Sequence, residues 1–110
     1  MRQQTLDFLC RLKSADFPDY VAKLVVFGSE VNNTTRVGSD IDLGIVCDFP
    51  LSQCQRIEID SIVMEHEPPF DYDLVFVLPG EYRGNFDVRR DIHEKGCVVY
   101  ERNEHLPGNS

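Results

Sequence analysis

Residues 28 to 43 read Gly-Ser-Glu-Val-Asn-Asn-Thr-Thr-Arg-Val-Gly-Ser-Asp-Ile-Asp-Leu. A short apolar run, Leu24-Val25-Val26-Phe27, leads into them, and Leu43-Gly44-Ile45-Val46 leads out. Gly28 lacks a side chain, so a phosphate can approach its backbone. Ser29 offers a hydroxyl and an N–H at the start of an expected helix, where the dipole favours anions. Asp40 and Asp42 are two apart at the start of an expected strand, so their carboxylates share one face. Two adjacent carboxylates repel unless a cation lies between them. Mg²⁺ is the hard ion that takes carboxylate and phosphate oxygens together. The chemistry these residue types suit is therefore metal-assisted work on a nucleoside triphosphate.

The run resembles the minimal nucleotidyltransferases of the DNA polymerase beta superfamily. Their signature is Gly-Ser, a stretch of about ten residues, then Asp-x-Asp. Gly28-Ser29 and Asp40-Ile41-Asp42 stand at that spacing, and Thr34, Arg36 and Ser39 fit the same run. The likeness extends from about Leu24 to about Glu101. Asn33 stands where the family often has Gly, and Asn tolerates a left-handed turn. Glu30 stands at a position often basic in the family, which implies weaker triphosphate contacts.

The resemblance also implies a third carboxylate on a later strand, typically an Asp before two apolar residues. Asp73-Leu74-Val75 has that form, and Asp71 is the rival on the same face. The implied catalytic and metal-binding set is Asp40, Asp42 and Asp73, holding two Mg²⁺ ions. Gly28 and Ser29 would hold the triphosphate of ATP, with Ser39 beside them. Arg36 is either a further phosphate contact or a surface arginine.

The implied activity is transfer of AMP from ATP to a hydroxyl. Members of this family are commonly paired with HEPN-domain ribonuclease toxins and act as antitoxins that adenylylate a toxin tyrosine. A small hydroxylated acceptor such as an antibiotic, and a purely steric antitoxin, are the alternatives.

The rest of the chain sets limits. Its 110 residues fit one domain, 1–110, with a frayed polar tail from about residue 103. The net charge is −8, and Arg89-Arg90 is the one adjacent basic pair. A protein that follows a nucleic-acid backbone needs a basic stripe, so a templated polymerase is disfavoured. No apolar run approaches membrane-spanning length, and Met1 to Thr5 lack a signal-peptide core; a cytoplasmic protein is expected. Cys10, Cys47, Cys54 and Cys97 form no Cys-x-x-Cys pair and are expected as buried reduced thiols.

Elements that could position the site follow from periodicity. A helix is predicted over 3–15, with Leu6, Leu9 and Cys10 on one face. Strands are predicted at 21–27, 40–46, 70–78 and 97–100. A short helix from Ser29 to near Gly38, a longer one from Leu51 to about Glu67, and one at 85–95 connect them. In the second strand Ile41, Leu43 and Ile45 should face the core. Asp40, Asp42 and Gly44 should face the site, with Gly44 leaving room for a ligand. The fold class is α/β or α+β. The resemblance specifies a nucleotidyltransferase fold, a mixed sheet of about four strands with helices on one face and the metal site on the other.

Overall fold

A computed structural model describes residues 1–80 and 92–102. Its elements run α1 (Gln3–Lys13), β1 (Val21–Phe27), α2 (Ser29–Asn32), β2 (Ile41–Cys47), α3 (Gln53–Glu65), β3 (Tyr72–Val77) and β4 (Cys97–Glu101). The four strands form one mixed sheet in the order β3-β2-β1-β4. β1 is antiparallel to β2 and to β4, and β2 is parallel to β3. The parallel pair needs a crossover, which α3 supplies. α3 begins with a capping box: the Ser52 hydroxyl accepts from the Gln55 N–H, and the Gln55 side chain accepts from the Ser52 N–H.

Strand alternation divides the sheet into two unequal faces. Leu24 and Val26 of β1 and Ile41, Leu43, Ile45 of β2 point to one side, where Phe8, Leu9 and Leu12 of α1 and Ile59 and Val63 of α3 bury them. Fully burying each such side chain stabilises the fold by roughly 1.5–3 kcal/mol relative to exposure. The opposite face carries a smaller apolar group, Val25, Phe27, Val46 and Val77, closed by Ile92 of the helical residues 92–94.

Several expectations need correction. The buried stripe of α1 is Thr5, Phe8, Leu9 and Leu12, whereas Leu6 and Cys10 are exposed. Phe8 and Leu12 offer more apolar area at helical spacing, and the helix turns to bury them. Only Cys47 is buried; Cys10, Cys54 and Cys97 are exposed, and all four are free. Cys97 is exposed because β4 is an edge strand. α2 is one turn long and stops at Asn33, which adopts the left-handed conformation at φ 56°. The space beside Gly44 is filled: a Cβ there would come within 2.8–2.9 Å of the Ile92 side chain. Gly44 therefore serves close helix packing instead of a ligand. The predicted helix at 85–95 falls largely outside the described residues, as do Arg89-Arg90 and the tail from 103. Among the described residues, no helix is long and apolar enough to cross a membrane.

Candidate active site

Register brings the carboxylates together. β2 and β3 are parallel, and Asp42 lies directly beside Asp73. Directly paired residues project to the same face, so the two carboxylates are cross-strand neighbours. One residue before β2, Asp40 is near enough for its charge to act on Asp42. Asp42 is pushed above the usual carboxylate range, first by burial and then by the charges of Asp73, Asp40 and Glu30. Three like charges press on one half-buried group, and burial there disfavours ionisation further.

Asp73 is exposed, because β3 forms the other edge of the sheet. A carboxylate within an apolar run needs a partner or solvent. On an edge strand, water meets that need, and the reason to single out Asp73 becomes its register with Asp42. Asp71 precedes β3, is exposed, and uses its carbonyl to accept the Ile41 N–H at 2.8 Å. Its backbone thus fixes the start of the β2–β3 pairing.

The Gly-Ser turn arrives from β1. Phe27, the last residue of β1, pairs with Asp42, so Gly28 follows immediately beside that carboxylate. Gly28 has φ 75°, and a Cβ on it would lie 2.3 Å from Asp42 Oδ2. Both the backbone conformation and the contact require glycine here. The Gly28 carbonyl accepts from the Asn32 N–H and the Ser29 carbonyl from the Thr34 N–H, both at 3.0 Å. A four-residue α2 has little macrodipole. What Ser29 can offer a phosphate is therefore its own hydroxyl and N–H beside the Gly28 backbone.

Ser39 shapes the approach to Asp40. Its Oγ accepts the Arg36 N–H at 2.8 Å, and its N–H donates to the Arg36 carbonyl at 3.0 Å. The serine hydroxyl is thus occupied in closing a tight turn. Arg36 lies on the exposed side of this turn, next to the fully exposed Val37.

Glu30 does not face a triphosphate. It is 1% exposed. Its Oε2 accepts from Arg2 Nε at 2.9 Å, Arg2 Nη2 at 2.7 Å and Thr5 Oγ1 at 2.6 Å. Its Oε1 accepts the Arg2 N–H at 3.1 Å. Burial alone would raise this carboxyl, but the hydrogen bonds from Arg2 and Thr5 outweigh it and hold it below its ordinary value. Glu30 is thereby paired with Arg2 in the interior, while its charge still reaches Asp42. Arg2 and Thr5 escaped sequence reading because no local spacing links residues 28 and 25 positions apart.

The donor set of Asp40, Asp42 and Asp73 is all hard oxygen and has no ion pair among the described residues, which fits Mg²⁺. Among the described residues, no three Asp, Glu, His or Cys side chains are already gathered closely enough to enclose an ion. An open arrangement is compatible with Mg²⁺, which commonly uses one or two carboxylates, substrate phosphates and water.

A mixed sheet whose parallel strand pair sets two aspartates side by side, against a Gly-Ser turn, has the architecture of a nucleotidyltransferase domain. The chain belongs to the polymerase beta nucleotidyltransferase family, whose model matches residues 13–105. No curated protein sequence matches it. Among solved structures, it is similar to a chain of a toxin–antitoxin crystallised with AMP-PNP, at TM-score 0.57 and 17% identity over 93% of this chain and 76% of that one. A chain from a mutant of the toxin–antitoxin MntA-HpeT is similar at TM-score 0.56 and 15% identity, over 94% and 76%. At such identities the likeness concerns the fold.

Proposed function

We propose that this domain is a Mg²⁺-dependent nucleotidyltransferase that moves AMP from ATP to a hydroxyl, and that the acceptor is a tyrosine of a HEPN-domain toxin. The protein would then be an antitoxin that inactivates its partner by adenylylation. The observation that carries the reaction is the direct pairing of Asp42 with Asp73 beside the glycine of a Gly-Ser turn. The partner reading is supported by the fold shared with toxin–antitoxin chains, one of them crystallised with an ATP analogue.

In this reading Gly28 and Ser29 hold the β- and γ-phosphates, and Asp40, Asp42 and Asp73 hold two Mg²⁺ ions. When bound there, the ions would neutralise charge at the α-phosphorus and the departing pyrophosphate and would lower the pKa of the acceptor hydroxyl. The acceptor oxygen bonds to the α-phosphorus while the bond to the α–β bridging oxygen breaks. Asp73, exposed at the sheet edge, takes the hydroxyl proton. A groove of about 330 Å³ runs between α3 and the β3 edge on the helix-covered side, lined in part by Arg56, Ile57, Leu74 and Phe76.

The test is transfer of label from ATP labelled at the α-phosphorus, in Mg²⁺, with a co-expressed HEPN partner. Label on a partner tyrosine that disappears with Asp42→Asn supports the reading. A stable complex that never takes label, and is still neutralised with Asp42→Asn, would replace it with a steric antitoxin. Label on a small hydroxylated compound alone would replace the acceptor.

A further inference from the structure

Arg2 lies far from the Gly-Ser and Asp-x-Asp runs in sequence, yet it touches all three segments that bear the candidate site. Its Nε and Nη2 hold Glu30 next to Gly28-Ser29. The same Nη2 donates to the Ser39 carbonyl at 2.9 Å, immediately before Asp40. Its guanidinium lies 3.6 Å from the centre of the Phe70 ring, at the approach to Asp71 and Asp73. One planar cation thus connects the phosphate turn, the first aspartate pair and the strand with the third aspartate. Thr5 adds a hydrogen bond to Glu30, and the Arg2 carbonyl accepts the Leu6 N–H in the first turn of α1.

We propose that Arg2 and Glu30 are a positioning pair that sets the distance between the Gly28-Ser29 turn and the Asp40, Asp42, Asp73 cluster. The proposal rests on the reading of that cluster as the reacting centre. Only a guanidinium fits the role. Its fork donates to a carboxylate and a carbonyl while its flat face covers an aromatic ring, and a lysine ammonium lacks the fork and the plane. Glu30 is the complementary half. Three donors converge on its Oε2, so it is fixed in place and carries α2 with it.

The test compares Arg2→Lys with Ile59→Val, a buried core change in α3 outside the hydrogen bonds of Arg2 and Glu30. Amide hydrogen exchange and transfer kinetics are both read well below the melting temperature. In Arg2→Lys, the amides of Asn32, Thr34 and Ile41 are expected to exchange about tenfold faster, with the amides of β1 within about twofold of wild type. kcat is expected to fall about tenfold to a hundredfold, as for a small misplacement of reacting groups. Ile59→Val should do neither. Unchanged exchange at those amides in Arg2→Lys overturns the proposal, and so does acceleration spread evenly over the sheet. If Arg2→Lys does not fold, Glu30→Gln is read in the same way, because it keeps the shape and weakens the charge-assisted bonds. Local acceleration in a protein that shows no transfer with any acceptor would uphold the positioning pair and sink the nucleotidyl-transfer reading.

Discussion

Two carboxylates, twelve positions apart in sequence, have opposite fates. Glu30 is almost wholly buried, yet its carboxyl is held below its ordinary value. Asp42 is only half-buried, yet its carboxyl is pushed up. Burial opposes ionisation in both, so burial does not decide between them. Partners do. Glu30 has Arg2 and Thr5, while Asp42 has Asp73, Asp40 and Glu30 itself. The protein satisfies one carboxylate completely and leaves the other among like charges. A group left in that state implies an external cation, whereas a completed one implies architecture.

The widest separation between them should appear in activity. Asp42→Asn is expected to reduce nucleotidyl transfer by about a thousandfold or more, since it removes a shared metal ligand. Its melting temperature should not fall, because the substitution removes a charge the fold does not favour. Single-turnover transfer at saturating ATP and Mg²⁺, paired with a thermal melt, checks both halves. Transfer within tenfold of wild type would erase the distinction drawn here.

Next in size is stability on the Glu30 side. Arg2→Met strands a buried anion, and losing one member of such a pair costs about 3–5 kcal/mol. Urea unfolding of Arg2→Met and of the double variant Arg2→Met/Glu30→Gln measures this. The double variant should recover part of the loss, because the stranded charge is gone. Equal stabilities would mean that Glu30 does not need its partner.

Gly28→Ala probes the contact between the phosphate turn and Asp42. A residue with Cβ at φ 75° is strained, and its Cβ would lie 2.3 Å from Asp42 Oδ2. The expected cost is about 1–2 kcal/mol for the conformation, with a further loss as the carboxylate moves aside. Denaturant unfolding reads the sum. Measured against Asp42→Gly alone, the companion Gly28→Ala/Asp42→Gly variant should show only the conformational part.

How much of this was readable from the sequence depended on whether a signal was local. β1 was placed at its observed bounds, and the inward face of β2 was given by the alternation of Ile41, Leu43 and Ile45. The left-handed turn at Asn33 was also anticipated, though its consequence, the end of α2 at Asn32, was not. What stayed hidden required tertiary contact. No periodicity announces that Ile92 fills the space over Gly44, or that Arg2 finds Glu30. The exposure of Cys97 and Asp73 follows from strand order, since β4 and β3 became the edges. The direct pairing of Asp42 with Asp73 likewise needed the parallel register.

The smallest effect separates the two carboxylates by pH. Glu30 has a lowered value, so its contribution is present above its ordinary value of 4.5 and lost as pH falls through its folded value. Asp42 has a raised value. Its contribution is present below its ordinary value of 3.8 and lost as pH rises through its folded value. Asp73→Asn removes the largest like charge on Asp42, and directly opposed like charges in a sheet cost about 0.2–1 kcal/mol. The variant should therefore melt about 1–6 °C above wild type at pH 7 and converge with it toward pH 4. The melt must be run in a chelator. A divalent ion bound to the native wild type would stabilise it by mass action and reverse the order. That reversal, seen in wild type and absent in Asp73→Asn, is what distinguishes a carboxylate pair left open for a cation from one that merely tolerates its neighbour.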